Sequence, residues 1–125
     1  MERTIGITID CNDLDDMARF WCDALGYDDG GSQAQYRWLH PSQGTGPSII
    51  LQQVPEARSG KNRLHLDIYA ADIEGEAVRL IGAGAHRIDA APIVEVENTW
   101  IRLRDPEGNE FCVVQTAASE QSYPS

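Results

Sequence analysis

Residues 3–26 read RTIGITIDCNDLDDMARFWCDALG, and the prediction of the fold starts from their pattern. Over Ile5–Ile9, isoleucine occupies every second position, which is the period of a strand buried on one face. Asn12 or Asp13 can cap the helix that follows, and Gly26 is suited to end it. The apolar residues of that helix recur as one stripe, at Leu14, Met17, Ala18, Trp21 and Leu25. The stretch therefore predicts a strand followed by an amphipathic helix.

The same pattern returns later in the chain. A shift of 59 positions places Asp13 on Asp72, and a shift of 62 places Trp38 on Trp100. Because the two shifts differ only by an ordinary change in loop length, we interpret the chain as two copies of one βαβββ unit. The other predicted elements are strands near 27–30, 35–40 and 48–54, a strand at 63–69, a helix from Asp72 to Gly82 or Gly84, and strands near 86–90, 99–104 and 109–115.

The two copies predict an α+β protein. Module one covers residues 3–54 and module two covers residues 63–115, so we expect a single domain over residues 1–116 and a flexible polar tail at 117–125. An apolar fraction of 42% over 125 residues is enough to build a core without disulfides. The three cysteines are widely spaced and form no CxxC pair, which indicates neither a disulfide framework nor a structural zinc site.

The charge of the chain excludes some partners. A formal net charge of -10 repels nucleic-acid phosphate and anionic membranes, so neither is expected to bind. No apolar run is longer than the four residues of Phe111–Val114, far fewer than the ~20 residues that a membrane span needs, and we expect a soluble, cytoplasmic protein. The basic cluster Arg58, Lys61 and Arg63 is either a solvated loop or a binding edge for a small anion.

Three motifs carry a resemblance to a known family: ITIDCNDLDDMARFWCDALGY at 7–27, GKNRLHLDI at 60–68 and DPEGNEFCVV at 105–114. Together with the paired modules, they resemble the vicinal-oxygen-chelate superfamily, which includes glyoxalase I, bleomycin-resistance proteins and extradiol dioxygenases. The glyoxalase-like branch is the most similar. The resemblance implies that the two modules curl their mixed sheets into a half-barrel, with the ligand on the concave side and the helices on the convex side. It also implies a homodimer.

Strand alternation assigns side chains to the two faces of each sheet. The residues expected under the helices are Ile5, Ile7, Ile9, Leu64, Leu66, Ile68, Ile101, Leu103, Phe111 and Val113. The alternate residues then face the cavity. Those predicted to contact a ligand are Trp38, Asp67, Trp100, Arg102 and Cys112. Aromatic walls with a few polar groups are typical of a small-molecule site.

The resemblance also poses a question about metal. Metal-dependent members of the superfamily hold one divalent ion with four side chains, one from the first and one from the last strand of each module, usually His, Gln or Glu. In module one these positions fall on Gly6 and on Ile50 or Leu51, which offer no donor. Module two keeps His65 but places Cys112 where a Glu is implied. We therefore expect no cofactor, with a divalent metal contacted by His65 and Cys112 as the alternative.

Several roles remain open at the cavity. His65 is the candidate catalytic residue, as a general base beside Asp67, or it hydrogen-bonds a ligand or a buried neighbour. Cys112 is either a nucleophile or a small apolar side chain. Arg102 pairs with Asp67 or with a ligand carboxylate, or lies exposed at a sheet edge.

The leading functional hypothesis is a glyoxalase-like protein with a degenerate metal site that binds a small, partly aromatic molecule. The alternative is an enzyme of the same superfamily, a lyase, isomerase or dioxygenase, that uses a residual metal or His65 as its base. A partner module without any ligand is the third hypothesis, and the tryptophans Trp38 and Trp100 argue against it.

Overall fold

In the computed structural model, which describes residues 3–95 and 98–116, the chain forms two units, Met1–Ser59 and Gly60–Ser125. Each unit combines one sheet with one helix that follows its first strand. The predicted α+β class and the repeated strand-helix-strands order are thereby confirmed. The tail predicted at 117–125 lies outside the described residues.

The first unit follows the predicted order of elements. It contains β1 (Gly6–Cys11), α1 (Leu14–Leu25), β2 (Tyr27–Gln33), β3 (Tyr36–Pro41) and β4 (Ser48–Gln53). The strands lie in the order β1-β4-β3-β2, with β1 parallel to β4 and the other pairs antiparallel. The parallel pair is possible because the crossover through α1 reverses the direction of the chain.

Local sequence explains where α1 begins and ends. The carboxylate of Asp13 accepts a hydrogen bond from the backbone N–H of Asp16 at 3.0 Å, which satisfies one of the free donors of the first turn. Gly26 ends the helix with φ of 69°, a left-handed conformation that favours glycine. The helix buries Met17, Ala18 and Trp21 as predicted, and in addition Phe20 and Ala24. Leu14 and Leu25 stay partly exposed.

The second unit has one strand more than predicted. It contains β5 (Leu66–Ala70), α2 (Ile73–Ala83), β6 (His86–Arg87), β7 (Ile93–Glu95), β8 (Asn98–Arg104) and β9 (Glu110–Gln115). The order is β5-β9-β8-β6, and β7 also pairs with β8. The strand expected near 86–90 is shorter than predicted, since only His86 and Arg87 form β6 and the N–H of Ile88 makes the last hydrogen bond to β8, at 3.0 Å to the carbonyl of Arg102. The additional strand is β7, where the chain pairs with β8 again beyond Pro92. Proline has no N–H to donate to β8 at that point.

The predicted burial holds in the strands that the helices cover. Ile101, Leu103, Phe111 and Val113 are at most 1% exposed. The prediction is wrong for Ile5 and Leu64, which are 72% and 87% exposed and precede the strands, since β5 begins at Leu66 rather than at residue 63. The physical reason is that α1 packs mainly on β2, β3 and β4, and α2 on β6, β8 and β9, so the first strand of each unit is covered less than the others. Ile7, Ile9, Leu66 and Ile68, also predicted under the helices, are accordingly only half-buried.

Both described helices are short. At 12 and 11 residues, neither α1 nor α2 is long and apolar enough to cross a membrane.

Candidate functional site

A cavity of about 300 Å³ lies on the sheet of the second unit, on the face opposite the residues that pack under α2. Its walls come from β5, β8, β9 and the segment before β5. The lining residues are Lys61, His65, Asp67, Tyr69, Asn98, Trp100, Arg102, Glu110, Cys112 and Val114. The structure therefore brings together His65, Asp67, Trp100, Arg102 and Cys112.

Strand register explains why these side chains meet. Asp67 is the direct neighbour of Cys112 across the parallel pair of β5 and β9, and Arg102 is the neighbour of Cys112 across the antiparallel pair of β8 and β9. Trp100 lies opposite Val114 in the same ladder. Because directly opposite residues point to the same face, β9 forms the centre of the site and its neighbours flank it.

His65 and Asp67 form a pair at the mouth of the cavity. The Nδ1 atom of His65 lies 3.0 Å from Oδ1 of Asp67, and the two side chains are 48% and 36% exposed. His65 immediately precedes β5 instead of lying within the predicted strand. The contact at Nδ1 orients the ring and leaves Nε2 as the nitrogen that a ligand can reach.

Arg102 pairs with Asp89, and not with Asp67, which was one of the three alternatives that the sequence left open. The Nε and Nη2 atoms of Arg102 donate to the two oxygens of Asp89 at 2.7 Å and 2.9 Å. These hydrogen bonds lower the pKa of the Asp89 carboxyl and raise the pKa of the Arg102 guanidinium. The guanidinium keeps Nη1 for a ligand, but much of its charge is neutralised. Asp89 lies in the connection between β6 and β7, and no pattern in the sequence identifies it as the partner of Arg102.

Cys112 is a buried thiol. Burial, and secondly the negative charge of Asp67, raise the pKa of Cys112 to about 11. At neutral pH the side chain is therefore a protonated thiol, which is a poor nucleophile. Of the two roles predicted for Cys112, burial and the raised pKa of its thiol favour a small apolar side chain over a nucleophile.

The other predicted aromatic residue lies in the first unit. Trp38 is on β3 beside Tyr36, with ring centroids 6.1 Å apart. Its neighbour Arg37 turns to the helix side, where Nη2 donates to the carboxylate of Asp15 at 2.7 Å. The alternation predicted for β3 is thus present, and a ligand contact of Trp38 remains a prediction from the sequence.

The residues do not fit the four-ligand metal site that the resemblance implies. A Cβ atom at Gly6 would lie 3.1 Å from Cδ1 of Ile50, so an apolar side chain occupies the space beside this position. Leu51 is fully buried in the core. In the second unit, potential ligand atoms of His65, Asp67 and Cys112 all lie within 4.8 Å of one another. Among the described residues, these are the donors found this close together, with a thiol in place of the expected carboxylate.

Comparisons with known proteins agree with this architecture. A family model described as glyoxalase-like domain matches residues 6–114. No curated protein sequence matches the chain. Among solved structures, a glyoxalase/bleomycin resistance protein/dioxygenase family enzyme from Burkholderia phytofirmans PsJN is 19% identical, with a TM-score of 0.73 over 90% of this chain and 97% of that one.

Two fosfomycin resistance proteins have the same fold. FosX from Mesorhizobium loti is 15% identical, with a TM-score of 0.70 over 98% of both chains. A variant of FosX from Listeria monocytogenes, in complex with Mn(II) and dihydroxypropylphosphonic acid, is 13% identical, with a TM-score of 0.75 over 99% of both chains. At such identities the likeness shows the fold alone.

Proposed function

This chain belongs to the glyoxalase-like domain family of the vicinal-oxygen-chelate superfamily, and from that premise we propose that it binds a small, partly aromatic molecule in the cavity of its second unit. The observation that carries the proposal is the convergence of Trp100, Arg102 and the His65–Asp67 pair on one cavity. An apolar wall with a few oriented polar groups is the usual composition of a small-molecule site.

The size and walls of the cavity favour a compact, planar ligand. A volume of about 300 Å³ is at the lower end of the range for ligand pockets. Trp100 is partly exposed on β8, where its ring can stack on a ligand. Stacking supplies a large contact area at a small cost in side-chain entropy.

The charges around the cavity favour a neutral or cationic ligand. Asp67 and Glu110 contribute two carboxylates and Lys61 one ammonium group, while the charge of Arg102 is largely compensated by Asp89. The net charge of the chain is also -10. These negative charges repel an anionic ligand. The Nη1 atom of Arg102 is suited instead to donate a hydrogen bond to a carbonyl or hydroxyl oxygen of a neutral ligand.

A screen of planar aromatic compounds, read by tryptophan fluorescence and ligand-observed NMR, tests the proposal. Trp100→Ala should weaken a ligand by ~1 to 3 kcal/mol, the range measured for aromatic stacking. Arg102→Ala should weaken it as well, while the matched control Arg79→Ala, on α2 and outside the lining residues, should leave the Kd unchanged. A ligand that is indifferent to Trp100→Ala and Arg102→Ala contradicts the proposal.

A second candidate is an enzyme of the lyase or isomerase type with His65 as general base. The contact of 3.0 Å between His65 and Asp67 favours it, because a carboxylate at Nδ1 fixes the tautomer and orientation of a catalytic imidazole. Such a base would exchange an acidic C–H proton of a bound ligand with solvent. NMR in D₂O should show that exchange in the wild type and its loss in His65→Ala, and the absence of exchange on any bound ligand excludes this candidate.

A further inference from the structure

We propose that Tyr69 is the second aromatic wall of the cavity and that the ligand is an arylalkylamine, with an aromatic ring at one end and an ammonium group at the other. The ring lies between Tyr69 and Trp100, and the ammonium group lies near the carboxylate of Glu110. The proposal rests on the proposed function, because it specifies the class of small molecule that the same cavity binds.

Strand register places Tyr69 and Trp100 on the two sides of Val114. Tyr69 is the neighbour of Val114 across the pair of β5 and β9, and Trp100 is its neighbour across the pair of β8 and β9. All three residues line the cavity, and Tyr69 is 48% exposed. Trp38, the second aromatic residue predicted from the sequence, belongs to the first unit and is not among the lining residues.

The distance between the two aromatic residues suits one ring. Neighbouring strands lie ~4.8 Å apart, so the backbones at Tyr69 and Trp100, on either side of β9, are roughly 9.6 Å apart. A ring over Val114, midway between them, is about 5 Å from each side, within the ~4.5 to 7 Å that separate the centres of stacked aromatic rings. The two flanking rings therefore supply contact area, and the apolar side chain of Val114 forms the floor.

The floor of the cavity changes from apolar to charged along β9. Alternate residues of this strand face the cavity, in the order Val114, Cys112 and Glu110. Val114 and the buried Cys112 present apolar surface, whereas Glu110 ends in a carboxylate. Because residues two apart on a strand are ~6.7 Å apart, a ring over Val114 with a short alkyl arm over Cys112 directs its terminal group towards Glu110.

The charges at that end favour an ammonium group. Asp67, on the neighbouring strand, adds a second carboxylate to that of Glu110. Lys61 contributes one positive charge, and the charge of Arg102 is largely compensated by Asp89. Among the described lining residues, the carboxylates thus outnumber the one uncompensated cation. A cationic arm is therefore attracted, and an anionic arm of the same length is repelled.

Matched probes test the proposal in the full-length protein. They are phenylpropylamine, phenylpropanol, phenylbutanoate and cyclohexylpropylamine, which share the length of the alkyl arm and differ in the charge or in the ring. Ligand-observed NMR measures the Kd of each. We expect phenylpropylamine to bind at least about tenfold more tightly than phenylbutanoate, and more tightly than cyclohexylpropylamine, whose saturated ring has no π face to stack.

Substitutions test the two ends of the ligand separately. Tyr69→Ala should weaken phenylpropylamine at least about fivefold, whereas Tyr69→Phe, which keeps the ring, should change the Kd by less than about twofold. Glu110→Gln should reduce the preference for phenylpropylamine over phenylpropanol at least about threefold, and it leaves both members of the His65–Asp67 pair in place. Glu76→Gln, on α2 and outside the lining residues, is the matched control and should change neither value.

The outcomes separate this proposal from the proposed function. Aromatic probes that respond to Trp100→Ala but not to Tyr69→Ala overturn the second aromatic wall, and a phenylbutanoate that binds as tightly as phenylpropylamine overturns the amine class; both results leave the proposed function intact. Because Tyr69 is 48% exposed, Tyr69→Ala is expected to fold, and Tyr69→Leu, an apolar side chain without a ring, provides the same test if it does not. If no planar aromatic compound binds at all, both proposals fail.

Discussion

Asp105 is expected to be one of the most sensitive positions for stability in the second unit. It is fully buried in the turn between β8 and β9. Its carboxylate accepts hydrogen bonds from the backbone N–H groups of Glu107 and Asn109 at 2.9 Å each, and from the side-chain amide of Asn109 at 2.8 Å. Asp105→Ala removes all three acceptor contacts at once.

The magnitude follows from these contacts. A hydrogen bond to a charged group contributes ~1.5 to 3 kcal/mol, but water can partly replace the lost acceptor because Glu107 and Asn109 are only half-buried. At about 1 kcal/mol for each contact, the loss in the free energy of unfolding is about 3 kcal/mol. Asp105→Asn keeps one oxygen but sets its amide against that of Asn109, so it should cost about 1 to 2 kcal/mol.

Urea unfolding of the three proteins, followed by circular dichroism, measures the difference. Glu95→Ala, which removes an exposed carboxylate of the same unit, serves as the control and should change the free energy of unfolding by less than ~0.5 kcal/mol. If Asp105→Ala unfolds within ~1 kcal/mol of the wild type, or is no more destabilising than Asp105→Asn, the contacts do not stabilise the turn as argued.

Other predictions concern single groups. Hydrogen bonds from Arg102 hold the pKa of Asp89 below its ordinary value of 3.8, so the unfolded state binds more protons in acid than the folded state. The free energy of unfolding that this pair contributes should be present above pH 3.8 and fall as the pH drops further. In urea unfolding, Asp89→Asn should therefore lose less stability in acid than the wild type does. The thiol of Cys112, with its pKa of about 11, should react slowly with iodoacetamide at pH 8 in the folded protein and rapidly after denaturation. Peptide mass spectrometry measures the labelling, and fast labelling of the folded protein would contradict a protonated, buried thiol. Gly26→Ala, which places a side chain at φ of 69°, should cost ~1 kcal/mol in thermal or urea unfolding, and an unchanged stability would argue against the left-handed cap. The predicted homodimer should appear in light scattering at about tens of micromolar, and a monomer there contradicts it.

Local rules were sufficient for much of the fold. The caps at Asp13 and Gly26 and the alternation along β8 and β9 depend only on neighbouring residues, and the structure confirms them. The placement of Asp67 beside Cys112 follows from the same alternation combined with strand pairing. These features are predictable because each is set by one element or by two paired strands.

Features that depend on tertiary packing were not predictable. Ile5 and Leu64 fit the period of their strands, but their exposure depends on which strands each helix covers. Asp89 reaches Arg102 across a connection whose course depends on the break between β6 and β7. The sequence has no local signal for either, since both result from the packing of distant segments.

The break between β6 and β7 also has a consequence for aggregation. The rows of backbone N–H and C=O groups at a sheet edge can recruit a strand from another molecule, and long uninterrupted edges are the most prone to such aggregation. Here β6 and β7 are two and three residues long, and Pro92 lies in the connection between them. An incoming strand would find no continuous run of partners on this side. The break between β6 and β7, within which Asp89 meets Arg102, thus also makes this side of the sheet a poor template for intermolecular β-sheet growth.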